Sequence, residues 1–389
     1  MLPEGWAVVS LGEVAKTKIV YGIVQAGPHD PTGIPYIKSS DVGGSIRCQS
    51  LQKTSIELHR RFVRSTVVPG DIVFSLRGNT GATSVVPPTL PEANLTQGTA
   101  KISVSPFFDR DFIRFQIASQ AAQRKIQAVT KGSTFVEITL EDLRKIQILC
   151  PEEPAEQRKI AEILSTWDQA IEAVEKLIAN ARAQKAALMQ QLLTGTKRLP
   201  GFSGAWTLRT LGEICSPKQW PTIGSKDMQS SGYPVFGANS FIGFYHQPNH
   251  LEDTIIISCR GTCGEVLIVP GPAYITGNAM CLDGIDETKI VKSLLVELIR
   301  AKGTKSIISG SAQPQIVRSS LTKFKISVPT FAEQRRLGEV IEDSQGVIDG
   351  FEADATALRQ EKSALMQQLL TGKRRVMIDQ PAALKEAAA

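Results

Sequence analysis

The sequence predicts a mixed α/β protein built twice over. Two globular α/β modules are separated by two long helices that pair as an antiparallel coiled coil, giving a pseudo-two-fold internal repeat. Three observations carry this reading. The nine residues Ala187–Gly195 recur letter for letter as Ala364–Gly372. The surrounding stretches 155–195 and 332–372 align without a gap, with 18 of 41 positions identical, so a duplication underlies the architecture. Both stretches also carry apolar residues in steps of four and three, the seam of a coiled coil.

Length and composition set the bounds. At 389 residues the chain has room for two or more domains, each with its own core. Its 42% apolar and 21% charged residues are those of an ordinary soluble protein. No apolar run approaches the roughly 18 residues of a membrane span. The start, Met1-Leu2-Pro3-Glu4-Gly5-Trp6, lacks the basic and apolar segments of a secretory signal. The six cysteines are scattered, so free thiols in a reducing cytoplasm are expected. A net charge of +6 is a mild basic bias, compatible with nucleic acid as a partner.

The first module is placed at residues 1–152. Ile72–Leu76, Val85-Val86, Lys101–Val104 and Ile146–Leu149 read as strands, and Phe112–Val129 has helical periodicity. The first long helix, 153–195, is introduced by Pro151 and Pro154. Its seam runs through Ile160, Leu164, Trp167, Ile171, Val174, Ile178, Ala181, Lys185, Leu188 and Leu192, and Gly195 ends it. A basic linker, 196–205, leads to the second module, 206–329, with strands at Thr254–Ser258, Val266–Val269 and Lys323–Val328. The second long helix, 330–372, repeats the seam at Leu337, Ile341, Ser344, Ile348, Phe351, Ala355, Leu358, Lys362, Leu365 and Leu369. A basic, then alanine-rich tail, 373–389, is expected to be loosely ordered. Helices of about 38 residues reach about 57 Å, and two such apolar stripes can bury each other. Lys185 and Lys362 share one seam position, and each marks the wet end of its helix or sets register.

The repeat extends into the modules. Trp6-x4-Leu11-Gly12-Glu13 corresponds to Trp206-x4-Leu211-Gly212-Glu213. Ser75-x-Arg77-Gly78-x2-Gly81 corresponds to Ser258-x-Arg260-Gly261-x2-Gly264, and Gly132-Ser133 to Gly310-Ser311. The residues between these landmarks differ strongly, so one scaffold carries two different variable surfaces.

Catalytic motifs are missing from this pattern. No G-x-G-x-x-G follows a strand, no Walker sequence occurs, and four histidines with no G-x-S-x-G argue against a hydrolase. His246-x3-His250 ahead of Cys259-x3-Cys263 has a superficial zinc spacing. Pro248 breaks any helix joining the histidines, and Leu76 and Thr80 stand where the cysteines do in the first repeat, so no metal is expected. The arginines of the two glycine turns can meet a phosphate or a guanine edge, or can pair internally. Arg60-Arg61-x2-Arg64 can track a phosphate backbone or form a solvated helix face. Lys131-Gly132-Ser133 and Ser309-Gly310-Ser311-x-Gln313 are polar turns at matching places. Gln313 and Gln315 could read adenine or serve as loop filler.

These residues resemble a family. Pro151-x4-Glu156-Gln157-Arg158 and Pro329-x3-Glu333-Gln334-Arg335, the duplicated Leu188–Gly195, and Gly70–Gly78 together are similar to the specificity subunits of type I restriction-modification systems. Tyr233–Gly243 resembles a stretch frequent in one class of their recognition domains. The resemblance covers the chain to about residue 375. It implies two target recognition domains, each reading half of a split, asymmetric site in double-stranded DNA, on a chain without an active site. It also implies two methyltransferase subunits using S-adenosylmethionine, and restriction subunits using ATP and magnesium; none of these cofactors belongs to this chain. Candidate DNA contacts are then Lys38, Ser39, Arg60, Arg61, Arg64, Arg77, Lys131, Ser133, Asn239, Ser240, Arg260, Ser311 and Gln313. The alternatives are a single-chain DNA-modifying enzyme and a coiled-coil interaction protein that does not bind DNA.

Overall fold

The structure is a computed structural model that describes residues 2–23, 25–132, 136–310 and 313–378. Ser133, Ser311 and the tail beyond Ile378 lie outside the described residues. The chain forms two compact units, one of residues 1–174 with 354–389 and the other of residues 175–353. Each unit therefore holds one module, the start of one long helix and the end of the other.

The two modules share a sheet plan. In the first, strands Val20–Tyr21, Thr99–Ile102, Ile72–Ser75 and Thr83–Val85 form a four-stranded antiparallel sheet in that order. In the second, Ser216–Lys218, Ala279–Asp283, Thr254–Ser258 and Val266–Val269 do the same. Each module adds a three-stranded sheet with one parallel pair, Tyr36 beside Asn94 in one and Val235 beside Tyr274 in the other. Each also closes with an antiparallel ribbon of its first and last strands, Trp6–Ser10 with Gln147–Pro151 and Thr207–Thr210 with Lys325–Val328.

The repeated Leu-Gly-Glu follows from these ribbons. Leu11 and Leu211 are fully buried. Glu13 and Glu213 accept hydrogen bonds from the backbone N–H of Ser10 and Thr210, capping a one-turn helix. A Cβ on Gly12 would stand 3.2 Å from the Arg144 carbonyl, and one on Gly212 would stand 3.1 Å from that of Thr322 and 2.5 Å from its methyl, so both positions leave little room for a side chain.

The long helices span Pro154–Leu193 and Phe331–Leu369. Every seam position named from the sequence is buried or half-buried, while most residues between them are exposed. Within each unit the two helices run antiparallel. In the first unit Lys362 meets Asp168, while Arg375, beyond the end of the second helix, meets Glu156 at the start of the first. In the second unit Lys185 Nζ donates to Gln345 Oε1 at 2.6 Å, and Arg182 pairs with Glu352. Asp168 and Gln345 are equivalent positions of the repeat, so each seam lysine finds the same place on the opposite helix. In the first unit Asp168 also accepts from Arg114 Nη2 at 3.0 Å.

The duplicated helix ends are module contacts as well as seam. Ile160, Leu164, Leu369 and Leu370 join the first module's core, with Trp6, Phe112 and Ile148. Leu192, Leu193, Leu337 and Ile341 join the second, with Ile257, Leu295 and Ile326. Gly195 and Gly372 end the helices at φ +72° and +67°, a left-handed cap that glycine favours.

The Glu-Gln pair at each helix start locks the module in place. Glu156 and Glu333 are 1% exposed. Arg375 holds Glu156 through Nε and Nη2 at 2.7 and 2.8 Å, and Arg198 holds Glu333 at 2.7 and 2.6 Å. Burying a carboxylate costs several kcal/mol unless such a partner is supplied, and the two-point arginine geometry supplies it. Gln157 accepts from the Asp109 N–H and donates to the Pro151 carbonyl. Gln334 accepts from the Val291 N–H and donates to the Lys289 and Pro329 carbonyls.

The structure corrects one sequence expectation, the continuous helical stretch 112–129, and adds anchors to the linker and to the start of the tail. The linker 196–205 is anchored by Arg198, whose Nη1 also donates to the Gly204 carbonyl at 2.6 Å. The tail is anchored at its start, where Arg375 holds Glu156 and Val376 packs on the first module's core. The helical stretch 112–129 is two helices, Arg110–Ala118 and Gln120–Val129, broken at Ser119. There the extended backbone lets the serine side chain cap the Ala122 N–H, a local bond that competes with continued helix.

Gln334→Ala should destabilise the second unit. It strips a part-buried N–H and two carbonyls, one of them buried, of their partner, at about 1–3 kcal/mol for each buried group left unsatisfied. Urea unfolding followed by tryptophan fluorescence should show a lower midpoint; an unchanged midpoint would show that the glutamine is dispensable.

Candidate nucleic-acid interface

The two arginine turns are built alike. Ser75 Oγ donates to the Arg77 carbonyl at 2.9 Å, and Ser258 Oγ donates to the Arg260 carbonyl at 3.1 Å. The second glycines, Gly81 and Gly264, both sit at φ +93°, where a side chain would be strained. Their carbonyls accept from Gln123 Nε2 and Thr304 Oγ1 respectively. Among the described residues, a Cβ on Gly78 or Gly261 would meet nothing within 4 Å.

A second loop is fastened to each turn at matching atoms. In the first module Ile138 N–H donates to the Leu76 carbonyl, and Thr80 Oγ1 contacts the Leu76 and Val136 carbonyls at 3.3 and 3.1 Å. In the second, Ile316 N–H donates to the Cys259 carbonyl, and Cys263 Sγ contacts the Cys259 and Pro314 carbonyls at 3.1 and 2.9 Å. Thr80 and Cys263 thus do one job, a short donor side chain joining two loops. Cys263 is occupied in this way, and Cys259 is buried with its thiol pushed up to about 12 by burial, which keeps it protonated at neutral pH. His250 lies instead with Cys281 and Asp283, donor atoms within 4.8 Å of one another. Its Nε2 is 3.0 Å from Asp283 Oδ1, and the other Asp283 oxygen accepts from Trp220 Nε1. Burial raises the Cys281 thiol, opposing the thiolate that a metal requires.

Several sequence candidates meet at these turns. In the first module Asn79, inside the turn, donates to the Val42 carbonyl at 2.6 Å, tying the turn to the segment that follows Lys38 and Ser39. Ser39 Oγ donates to the Gly98 carbonyl at 2.8 Å, and Lys38 Nζ to Gln52 Oε1 at 3.3 Å, so both side chains are engaged internally. Arg77 Nε is 2.5 Å from Glu137 Oε2, and Lys131 bridges the same glutamate through the backbone. In the second module Asn239, in the hairpin turn between Tyr233–Gly237 and Ser240–Tyr245, donates to Glu265, the residue after Gly264. Asn239, Ser240, Arg260 and Gln313 therefore border one region, with Phe241 and Ile242 exposed beside them. Arg260 is exposed and has no side-chain partner among the described residues.

Arg60, Arg61 and Arg64 are exposed at the end of the helix Ile56–Arg61 and just beyond it. They make no ion pair among the described residues. Glu137 and the hairpin aromatics were missed by sequence reasoning. Aligning the repeats on Ile138 and Ile316 places Glu137 opposite Gln315 and supplies the missing signal.

This duplicated plan, with arginine turns at equivalent places on two differing surfaces, defines a class of paired recognition proteins. The chain belongs to the Type I restriction modification DNA specificity domain family, which matches residues 3–181 and 204–349. The type I restriction enzyme EcoprrI specificity subunit of Escherichia coli is 24% identical over 331 residues, covering 79% of each chain. The S subunit of a type I restriction-modification system from M. genitalium superposes with a TM-score of 0.56 at 20% identity, over 95% of this chain and 99% of that one. A chain from a structure concerned with complex assembly and conformational transition of the type I system gives 0.61 at 19% identity, over 95% and 98%. No helix among the described residues is long and apolar enough to cross a membrane.

Cys263→Ala should release the loop at Pro314, and hydrogen exchange at the Ile316 amide should accelerate. Cys263→Thr, which installs the first module's solution, should leave that exchange near its original rate. Equal exchange in all three proteins would contradict the latch.

Proposed function

We propose that this chain is the non-catalytic specificity subunit of a type I restriction-modification complex. Each module reads one half of a bipartite, asymmetric site in double-stranded DNA. The observation that carries this reading is the repeated arginine turn, kept in backbone geometry and changed in its surroundings. Glu137 and Lys131 stand beside one turn, where Gln315 and Ser309 stand beside the other. Two readers with different surfaces call for two different half-sites, so the full site is not a palindrome.

The long helices act as the spacer. At 40 and 39 residues each reaches about 60 Å along its axis, a length that suits a spacer. Two methyltransferase subunits dock on the duplicated helical surface. Arg158 and Arg335, exposed at equivalent positions after the buried Glu-Gln pairs, support a surface presented twice. Those subunits bring S-adenosylmethionine, and restriction subunits bring ATP and magnesium. The complex works in the cytoplasm, where DNA and reduced thiols coexist. The modest charge of +6 fits a chain whose partners complete the DNA clamp.

Co-expression with the cognate methyltransferase, followed by genome-wide mapping of methylated adenines, should give a split motif. A short continuous motif, or no methylation, would overturn the reading. Deleting four residues, half a heptad, between Ile160 and Leu192 should change the spacer length or abolish assembly, with the half-site bases unchanged wherever methylation persists.

A further inference from the structure

Glu137 and Gln315 occupy one position of the scaffold, immediately before Ile138 and Ile316, and they leave the two turn arginines in different states. In the first module a backbone bridge joins Arg77 to Glu137, which sets their side chains together. Glu137 Oε2 lies 2.5 Å from Nε of the guanidinium, and the terminal nitrogens Nη1 and Nη2 make no hydrogen bond among the described residues. Both side chains are a little under half exposed, so the pair stands at the surface. In the second module the equivalent of Glu137 is a neutral amide, and Arg260 has no carboxylate partner among the described residues.

The chemistry of the two states differs. An exposed ion pair contributes only about 0.2–1 kcal/mol to stability, so folding does not demand the Arg77–Glu137 pair. Its effect on a ligand is larger. The pair has no net charge, so it gains little from a phosphate and its carboxylate repels one. A guanidinium held at Nε still offers its terminal N–H fork in a fixed direction, which is what recognition of guanine O6 and N7 requires. A lone mobile guanidinium has the opposite properties. It is a full charge with no preset direction, suited to a phosphate and to the counterion release that accompanies it.

We infer that Arg77, oriented by Glu137, reads a guanine edge in the first half-site, whereas Arg260 anchors a backbone phosphate beside the second. Glu137 is a positioning residue: it fixes the direction of Arg77 and keeps it off the phosphates. The inference rests on the DNA-reading function proposed above and divides the two arginines within it.

The test uses the full chain assembled with its methyltransferase subunits, with two readouts: the methylated motif, and the salt dependence of binding to a duplex carrying the wild-type motif. Arg77→Ala should relax one G·C position of the first half-site by roughly tenfold or more. Glu137→Gln should relax that same position and steepen the salt dependence by about one ion, because the freed arginine turns to a phosphate. Arg260→Ala should lower the salt dependence by about one ion and leave both half-sites as they were. In each variant the untouched half-site reports that the complex has folded. A motif and salt dependence unchanged by Glu137→Gln would overturn the inference, as would a base preference altered by Arg260→Ala. Absence of any split motif with the unmutated chain would instead overturn the function on which it rests.

Discussion

Two buried carboxylates organise this molecule. Glu156 and Glu333 stand at the starts of the long helices with 1% of their surface exposed, and such a charge is tolerable only when a partner of opposite sign is fixed against it. The partner in each unit is an arginine that follows the end of the other helix, Arg375 for Glu156 and Arg198 for Glu333. The chain must therefore leave each helix and turn back at once to the base of its neighbour. That requirement explains the short linker, the glycine stops at 195 and 372, and the letter-for-letter repeat of the helix ends. The duplicated residues lie where both halves meet the same demand, burying two leucines in a module and turning sharply.

The consequence for function is a division of labour within each module. The sheet order, the closing ribbon and the Glu-Gln lock are common to both modules and set the arginine turn at a fixed place. The loops fastened to that turn are free to differ, because their attachment uses backbone carbonyls and one short donor, Thr80 or Cys263. A scaffold that holds a loop by its backbone leaves the outward side chains unconstrained. Glu137 and Gln315 stand at one such position, so the same turn presents a carboxylate in one module and a neutral amide in the other.

Much of this was legible in the sequence, for identifiable reasons. The long helices announced themselves because a heptad seam is a local, periodic signal, and seam residues such as Leu164, Ile341 and Leu369 are buried. The arginine turns were legible because two glycines at a fixed spacing mark a required backbone shape. What escaped was long-range. Nothing near Arg77 in the chain indicates that Glu137 will meet it, and nothing in the linker singles out Arg198 as the answer to Glu333. The break at Ser119 escaped for a subtler reason: the apolar spacing of 112–129 continues through it, and only the serine's competing bond to the Ala122 N–H interrupts the helix.

Each long helix is shared, its start belonging to one compact unit and its end to the other. Native-state hydrogen exchange under increasing denaturant tests this most directly. Amides near Ile160 and Leu164 should open together with those near Leu369 and the first module, while amides near Leu192 should open with those near Ile341 and the second module. Each long helix opening from end to end as a single block, independent of the modules, would contradict it.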